Sequence, residues 1–312
     1  MIQSVLESAG IQAARVESEW WTIFWITTIV TVIVLAVLGI ALKRGAARTD
    51  ATTSHDAHLH RYIAFATVLT VVILFGILVR SIVTTRALAS ERVTDVMQIE
   101  VTAYQWWWSV EYQHPEPEQR VRTANELRLP VGRTVAIKLL ASDVIHSFWV
   151  PSLSGKLDAI PGHEAVLWLR ADKAGVYRGQ CAEYCGFQHA HMAFVVVAEP
   201  PDQFERWIQA QRKTAEQPQT ELAQRGLHIV QRSACVMCHT IRGTAAGGRM
   251  GPDLTHFASR STIAAGTLPR TPEHVNNWLA DPQAIKPGNR MPTLALSDAD
   301  RAALVAYLEQ LR

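Results

Sequence analysis

Hydrophobic positions are spread unevenly along the chain. Two runs in its first quarter carry no charge: Trp20 to Leu42, between Glu19 and Lys43, and Tyr62 to Val79, between Arg61 and Arg80. At about 1.5 Å of rise per residue they span roughly 35 Å and roughly 27 Å. A hydrocarbon layer is about 30 Å thick, so both can cross it, the second with help from Ser81 to Thr85. Neither shows the polar stripe that a soluble helix of this length carries. They are predicted as transmembrane helices, over 20–42 and 62–83, in preference to buried core helices. A cleaved signal peptide fits the first run less well, because the run is long for an h-region and an acidic residue precedes it. Trp20, Trp21 and Trp25 cluster at one end of it, as interfacial anchors do.

Beyond Arg92 the pattern changes to short β-like runs: Val96–Val101, Thr134–Leu140, Phe148–Val150, Glu164–Leu169, Gly175–Arg178 and Ala193–Val197. Pro130, Gly132, Pro151, Gly155, Pro161 and Gly162 punctuate them, which predicts a sandwich or barrel. Pro201 to Lys213 then reads as a helix with Phe204, Trp207 and Ile208 on one face. Thr214 to Thr220 is a polar, proline-containing linker. Helical periodicity follows from Glu221 to Gln231; Thr271-Pro272-Glu273 reads as a cap, and Ser297 with Asp300 as a capping box opening a helix that reaches Leu311. The expected organisation is an N-terminal segment with two spans over 1–92, a β domain over 93–213, a linker over 214–220 and an α domain over 221–312, with no internal repeat.

Charge adds an orientation. Lys43, Arg44, Arg48 and Arg61 lie between the apolar runs, against Arg15 alone before them. This excess places the connection in the cytoplasm and both termini outside, although Arg80, Arg86 and Arg92 follow the second run. His55, His58 and His60 in the connection read as solvated loop residues rather than a metal site. A net charge of +2 over 312 residues gives no field for nucleic acid.

The four cysteines carry the chemistry. Two disulfides are the ordinary expectation for an exported chain. Here each pair has a histidine at ligand spacing, so all four are assigned to cofactors. Cys235-Val236-Met237-Cys238-His239 is the c-type haem attachment pattern, in which two thiols add to the porphyrin and the adjacent histidine lies under the iron. Met291, just before the terminal helix, is the favoured distal thioether; Met250 is its rival, and Met237 lies inside the attachment loop, facing the wrong way. A zinc site or redox dithiol is the competing reading, without a second ligand pair nearby.

The segment Cys181-Ala182-Glu183-Tyr184-Cys185-Gly186-Phe187-Gln188-His189-Ala190-His191-Met192 packs two thiolates, imidazoles and a thioether together. Soft thiolates with imidazole and a weak methionine select copper. A mononuclear blue-copper centre takes one cysteine; two allow two coppers to share bridging sulfurs, each with one histidine and one weak ligand. His189 and Met192 fit, and His146 on an upstream strand is the second histidine; His191 has no place in the pattern.

This set resembles the dinuclear CuA centre of cytochrome c oxidase subunit II, and the haem segment resembles class I cytochromes c. The two together resemble the caa-type branch, in which a cytochrome c is fused to the C-terminus. The resemblance implies a two-helix transmembrane hairpin, an all-β cupredoxin-like sandwich and an all-α class I cytochrome c domain. It implies CuA on His146, Cys181, Cys185, His189 and Met192 with the Glu183 carbonyl, and a magnesium or manganese ion shared with subunit I through the Glu183 side chain. One haem c is implied on Cys235, Cys238, His239 and Met291. Gln105-Trp106-Trp107-Trp108 resembles the family's aromatic segment, which makes Trp106 the implied electron-input contact and leaves Trp107 and Trp108 to packing. Asp158 also matches the family, but reads equally well as a turn residue.

The implied role is electron input to a terminal respiratory oxidase: electrons from cytochrome c pass through haem c and CuA to subunit I, where oxygen becomes water. Implied partners are oxidase subunits I and III, cytochrome c or quinol–cytochrome c reductase as donor, and a bacterial cell membrane with the metal domains on its periplasmic side. Two alternatives stay open: the CuA subunit of a nitric oxide reductase, and a stand-alone membrane-anchored electron carrier. Nitrous oxide reductase carries similar copper, but no propeller domain is present here. The short linker is expected to hold the cytochrome at millimolar effective concentration near the copper. With no cysteine near the N-terminus, no lipid anchor is expected there.

Overall fold

A computed structural model of the chain describes residues 3–45, 56–89 and 96–312. Arg48, His55 and Arg92, which entered the charge argument, lie outside the described residues. Residues 14–92 form one compact unit, and residues 1–13 with 93–312 form another.

In the first unit both apolar runs are helical and both helices outrun them. Helix α1 spans Ile11–Gly45 and α2 spans Asp56–Ala89. His58, His60 and Arg61 therefore sit on the first turns of α2 rather than in a loop. Once a helix is nucleated, extension costs little, and Leu, Arg and Ala favour it. Both helices are long and apolar enough to cross a membrane. They meet through polar groups at one end: Arg80 Nε lies 3.1 Å from Glu19 Oε2, Arg80 Nη2 donates to Ser18 Oγ at 2.9 Å, and the Thr84 hydroxyl donates to Glu19. The acidic residue ahead of the first run is thus satisfied by the second helix. One turn further, Trp20 stacks on Phe24 and Trp21 on Trp25.

The second unit begins with ten strands in two five-stranded sheets. Strands β1 (Met97–Tyr104), β2 (Trp107–Tyr112), β3 (Val121–Ala124), β4 (Glu126–Pro130) and β5 (Val135–Ala141) come first. Then follow β6 (His146–Trp149), β7 (Leu157–Ala159), β8 (Ala165–Leu169), β9 (Gly175–Cys181) and β10 (Ala193–Glu199). The sheet orders are β3-β2-β1-β5-β8 and β4-β10-β9-β6-β7. Inward positions such as Ile99, Val101, Ile137, Leu139, Phe148 and Val196 fill the space between them. Strands β2, β3, β4 and β7 are absent from the sequence-based expectation. Charges interrupt β2 to β4, and the fold pairs them: Arg122 with Glu111 at 3.1 Å, and Arg128 with Glu126 at 3.2 Å and Glu199 at 3.3 Å. What matters for function is that β10, β9 and β6 are neighbours, so His146, Cys181 and the chain entering Ala193 meet at one end of the sheet.

Helix α3 (Pro201–Arg212) packs Phe204 and Ile208 onto the sandwich. The expected linker is not free: Ala215 N–H donates to Arg242 O at 2.9 Å, and the Arg242 guanidinium donates back to the carbonyls of Gln211 and Arg212. The rest is a small helical fold: α4 (Glu221–Arg232), α5 (Cys235–Cys238), a hairpin of β11 (Thr262–Ile263) and β12 (Leu268–Pro269), then α6 (Pro272–Ala280), α7 (Pro282–Ile285) and α8 (Asp298–Leu308). The caps stand where the sequence placed them. Thr271 accepts from His274 N–H, and Ser297 accepts from Asp300 N–H while donating to its carboxylate at 2.7 Å. The terminal helix stops at Leu308, short of Leu311, because the last residues tighten into turns; Leu311 stays buried.

Gly226 lets α4 and α8 touch. A Cβ there would lie 2.1 Å from Ala303 O and 2.7 Å from Tyr307 Cβ. Gly226→Ala is expected to destabilise the helical domain by about 1–3 kcal/mol through overpacking, despite the better helix propensity of alanine. Native-state hydrogen exchange of α4 and α8 amides measures this; unchanged protection would refute the tight crossing.

Candidate metal centres

The copper-type cluster is built on the β9–β10 connection. Cys181 ends β9, and its N–H donates to Met192 O at 2.9 Å, closing the loop that carries Cys185 and His189. The two sulfurs lie 3.8 Å apart. On one side His146 Nδ1 is 3.9 Å from Cys181 Sγ; on the other His189 Nδ1 is 3.6 Å from Cys185 Sγ. A weak donor accompanies each sulfur: the Glu183 carbonyl is 3.2 Å from Cys181 Sγ, and Met192 Sδ is 3.8 Å from Cys185 Sγ. His146, Cys181, Cys185 and Met192 are buried. Of the candidates named from the sequence, all six converge, though Glu183 does so through its backbone. His191 does not: its ring is exposed and contacts Gln188 Oε1 at 2.8 Å. Asp158 sits on β7, opposite Ser147 of β6.

The electrostatics suit bound metal. The contact between the sulfurs favours a thiolate on Cys181, with burial opposing it and His146 assisting. That same contact, together with burial and the neighbouring charge, pushes the Cys185 thiol up. Two adjacent buried thiolates need positive charge between them. Burial pulls the His146 imidazole down, but its contacts with Cys181 and with Asp143 Oδ1, 2.9 Å from Nε2, outweigh this and raise it. Nε2–H donation to Asp143 fixes the tautomer and leaves the Nδ1 lone pair facing the sulfurs, as a metal ligand requires. Asp143 had no role assigned from sequence; its position three residues before His146 was the available signal. The donor set fits copper: two thiolates, two imidazoles, a thioether and a carbonyl.

Gly186 has φ +112°, and a Cβ there would meet Gln105 Nε2 at 3.1 Å and the Trp106 ring at 3.2 Å. Glycine thus lets the aromatic segment close on the loop. Trp106 Nε1 and Gln105 Nε2 both donate to Cys185 O, at 3.0 Å and 2.8 Å. Trp107 stacks on Tyr104, while Trp108 is a core residue packed edge-on against Phe148 and His146.

In the helical domain, Cys235, Cys238 and His239 line a cleft enclosing about 1250 Å³, open mouth included. Met250 and Met291 line it too, and so do Trp106 and Trp107 from the sandwich. His239 Nδ1 donates to Pro252 O at 2.7 Å, which leaves Nε2 as an unprotonated donor atom; burial holds the imidazole's pKa down and keeps it neutral. Gly251 packs against this ring, where a Cβ would come within 2.8 Å. Met291 is half-buried against the core, with Gln283 donating to its carbonyl at 2.8 Å; Met250 is exposed, and Met237 more so. The thiols, the neutral imidazole and the apolar cleft fit a covalent haem. Sequence reasoning missed Lys286, which carries no motif: it is 2% exposed and donates to three backbone carbonyls.

A cupredoxin-like copper domain joined to a c-type cytochrome fold, behind two apolar helices, defines an anchored electron-transfer protein. Comparison with known proteins narrows this. Residues 97–199 match the family described as cytochrome C oxidase subunit II, periplasmic domain, and residues 223–312 match cytochrome c. Cytochrome c oxidase subunit 2 of Alkalihalophilus pseudofirmus is 38% identical over 70% of this chain and 62% of its own length. That of Bacillus sp. strain PS3 is 34% identical over 81% of this chain and 75% of its own length, and that of Bacillus subtilis 35% identical over 70% and 63%. The chain thus spans less than two thirds of the Alkalihalophilus and Bacillus subtilis relatives. It belongs to the cytochrome c oxidase subunit II family, in the form with a fused C-terminal cytochrome c; its two domains bind copper and haem c.

Met291→Ala is expected to abolish the sulfur-to-iron charge-transfer band of the oxidised protein and lower the haem potential, because thioether ligation raises it. Met250→Leu is expected to leave both unchanged. Optical redox titration of the two variants checks the assignment, and the reverse outcome would exchange the ligands.

Proposed function

We propose that this chain is the electron-input subunit of a terminal oxidase, with copper bound as a dinuclear CuA centre. With both groups bound, they supply one-electron relay from a cytochrome c donor to subunit I, where oxygen is reduced to water. The observation that carries this reading is the symmetric donor set, in which each of two sulfurs 3.8 Å apart has its own imidazole and its own weak donor. A mononuclear site has no use for the second thiolate. Cys181 and Cys185 would bridge, His146 with the Glu183 carbonyl would complete one sphere, and His189 with Met192 the other.

The residues around the loop hold it still. Asp143 orients His146, Gln105 and Trp106 hold the Cys185 carbonyl, and the β9–β10 ladder fixes both ends. A rigid ligand frame keeps geometry constant between oxidation states, which lowers the reorganisation cost of electron transfer. Trp106 serves as the electron-input contact: its indole touches the Cys185 carbonyl while its ring lines the haem cleft. Cys235 and Cys238 would attach the porphyrin covalently, and His239 and Met291 would hold its iron. Because Glu183 offers its carbonyl to Cys181 Sγ, its carboxylate would serve a magnesium or manganese ion shared with subunit I.

The two helices anchor the chain in the bacterial cell membrane with the metal domains on the periplasmic side. Subunits I and III are the partners within the membrane, and cytochrome c or quinol–cytochrome c reductase is the donor. A nitric oxide reductase would use the same copper domain with a different catalytic subunit. The native complex is therefore expected to consume oxygen with reduced cytochrome c and not nitric oxide. Metal analysis is expected to give two coppers per chain, and Cys185→Ser to lose at least one of them along with the near-infrared absorption. Uptake of nitric oxide alone would overturn the oxidase assignment, and one copper in the wild type would overturn the dinuclear one.

A further inference from the structure

Besides the contacts of Arg242 with the end of α3, the cytochrome domain meets the copper domain through a short stretch and the β11–β12 hairpin. The stretch is Lys286 to Arg290, immediately ahead of Met291. Gln188 Nε2 of the copper loop donates to Pro287 O at 2.9 Å, a Cβ on Gly288 would lie 3.7 Å from the Trp106 ring, and Arg290 Nη2 is 3.2 Å from Asp143 Oδ2. The hairpin adds contacts at its tip and at its base. Ala193 N–H of β10 donates to Ala265 O at 2.9 Å, and Ser261 N–H donates to Glu126 Oε2 at 3.3 Å.

Lys286 is the buried centre of this interface. Its Nζ lies 2.8 Å from Trp106 O and 2.7 Å from His191 O, both in the copper domain, and 3.1 Å from Ala264 O in its own. An ammonium has three donors and no acceptor; here each donor has one carbonyl. We propose that Lys286 is a positioning residue that fixes the haem domain against the copper loop by gripping the Trp106, His191 and Ala264 carbonyls together.

Three further observations support this. First, the acceptors are not arbitrary. Trp106 O belongs to the residue whose indole holds Cys185, and His191 directly precedes Met192, so the grip registers the cytochrome on the copper ligands' own frame. Second, the hairpin tip is shaped for the purpose. Ala264 and Ala265 adopt φ +52° and +59°, left-handed conformations that alanine resists. The Ala264 carbonyl goes to Lys286 within the cytochrome domain, and the Ala265 carbonyl accepts from Ala193 N–H across the interface, which compensates this unfavourable backbone. Third, among the described residues no carboxylate pairs with the buried cation. Burial draws its pKa down to about 7. Three carbonyl acceptors require three N–H bonds and hence the charged form, so the ammonium is held by the carbonyls of the docked state.

This deepens the proposed electron route and rests on it, but the clamp has a test of its own. In the full-length, haem- and copper-loaded protein, Lys286→Met is expected to speed amide exchange about tenfold in peptides containing Ala193 and Ser261, the loss of roughly one charge-assisted hydrogen bond. The sandwich peptide over Val135–Leu140 should be unchanged, and transfer from haem c to copper, followed after flash reduction, should slow and become viscosity-dependent. If Lys286→Met does not accumulate, Lys286→Gln serves the same comparison. Unchanged exchange at Ala193 and Ser261 overturns the clamp, and so does an equal rise in the sandwich core, which marks a residue that merely supports folding. A wild type lacking near-infrared copper absorption would sink the electron route while leaving the exchange comparison readable.

Discussion

Two buried sulfurs held 3.8 Å apart cannot both ionise unless positive charge lies between or beside them. Much of the second unit can be derived from that constraint. The sulfurs are fixed by backbone pairing, since Cys181 ends a strand and its N–H closes on Met192 O. Imidazoles approach from both sides, one from β6 and one from the loop. Asp143 then anchors the His146 imidazole, because a ring free to rotate would lose its lone pair's aim. Burying this charge calls for a dense, rigid wall. Trp108, Phe148 and Phe194 supply it, in edge-on and stacked contacts directly beneath the ligands.

How legible this was in the sequence depended on whether a residue's role is local. The loop from Cys181 to Met192 and the Cys235–His239 pentapeptide could be read directly, because ligand spacing within a few residues reflects metal geometry. The caps at Thr271 and Ser297 could be read for the same reason. His146 was found only because a pair of cysteines elsewhere lacked a partner. Strands β2 to β4 were missed because Glu111, Arg122, Glu126 and Arg128 break the alternation, and only the folded sheets bring these charges together and add Glu199 of β10. The ends of α1 and α2 were missed because polar helical turns beyond an apolar run look like loop.

The linker shows a different limit. Polar, proline-containing composition reads as flexible, and a flexible tether was the natural expectation. In the fold, Ala215 N–H donates to Arg242 O and the Arg242 guanidinium donates to Gln211 and Arg212 carbonyls, which straps this segment to the cytochrome core and to the end of α3. Composition reports what a segment would do alone. It says nothing about backbone partners supplied by residues that are distant in sequence. Effective concentration is then the wrong description of how the two domains meet, because the separation between them is set by contacts and not by chain length.

Lys286 is the extreme case of that limit. Every partner of its ammonium is a backbone carbonyl, and carbonyls leave no trace in a sequence. Arginine would present a planar fork suited to carboxylates; the compact ammonium of lysine suits three oxygens converging from different directions. The residue choice thus follows from the shape of the gap between a turn at Trp106, a loop at His191 and a left-handed hairpin tip at Ala264. The same six-residue stretch ends in Met291, so the segment that seats the cytochrome on the copper domain also carries the candidate haem ligand. Any displacement of that stretch would act on docking and on the haem together, which couples the geometry of one proposed metal site to the seating of the other.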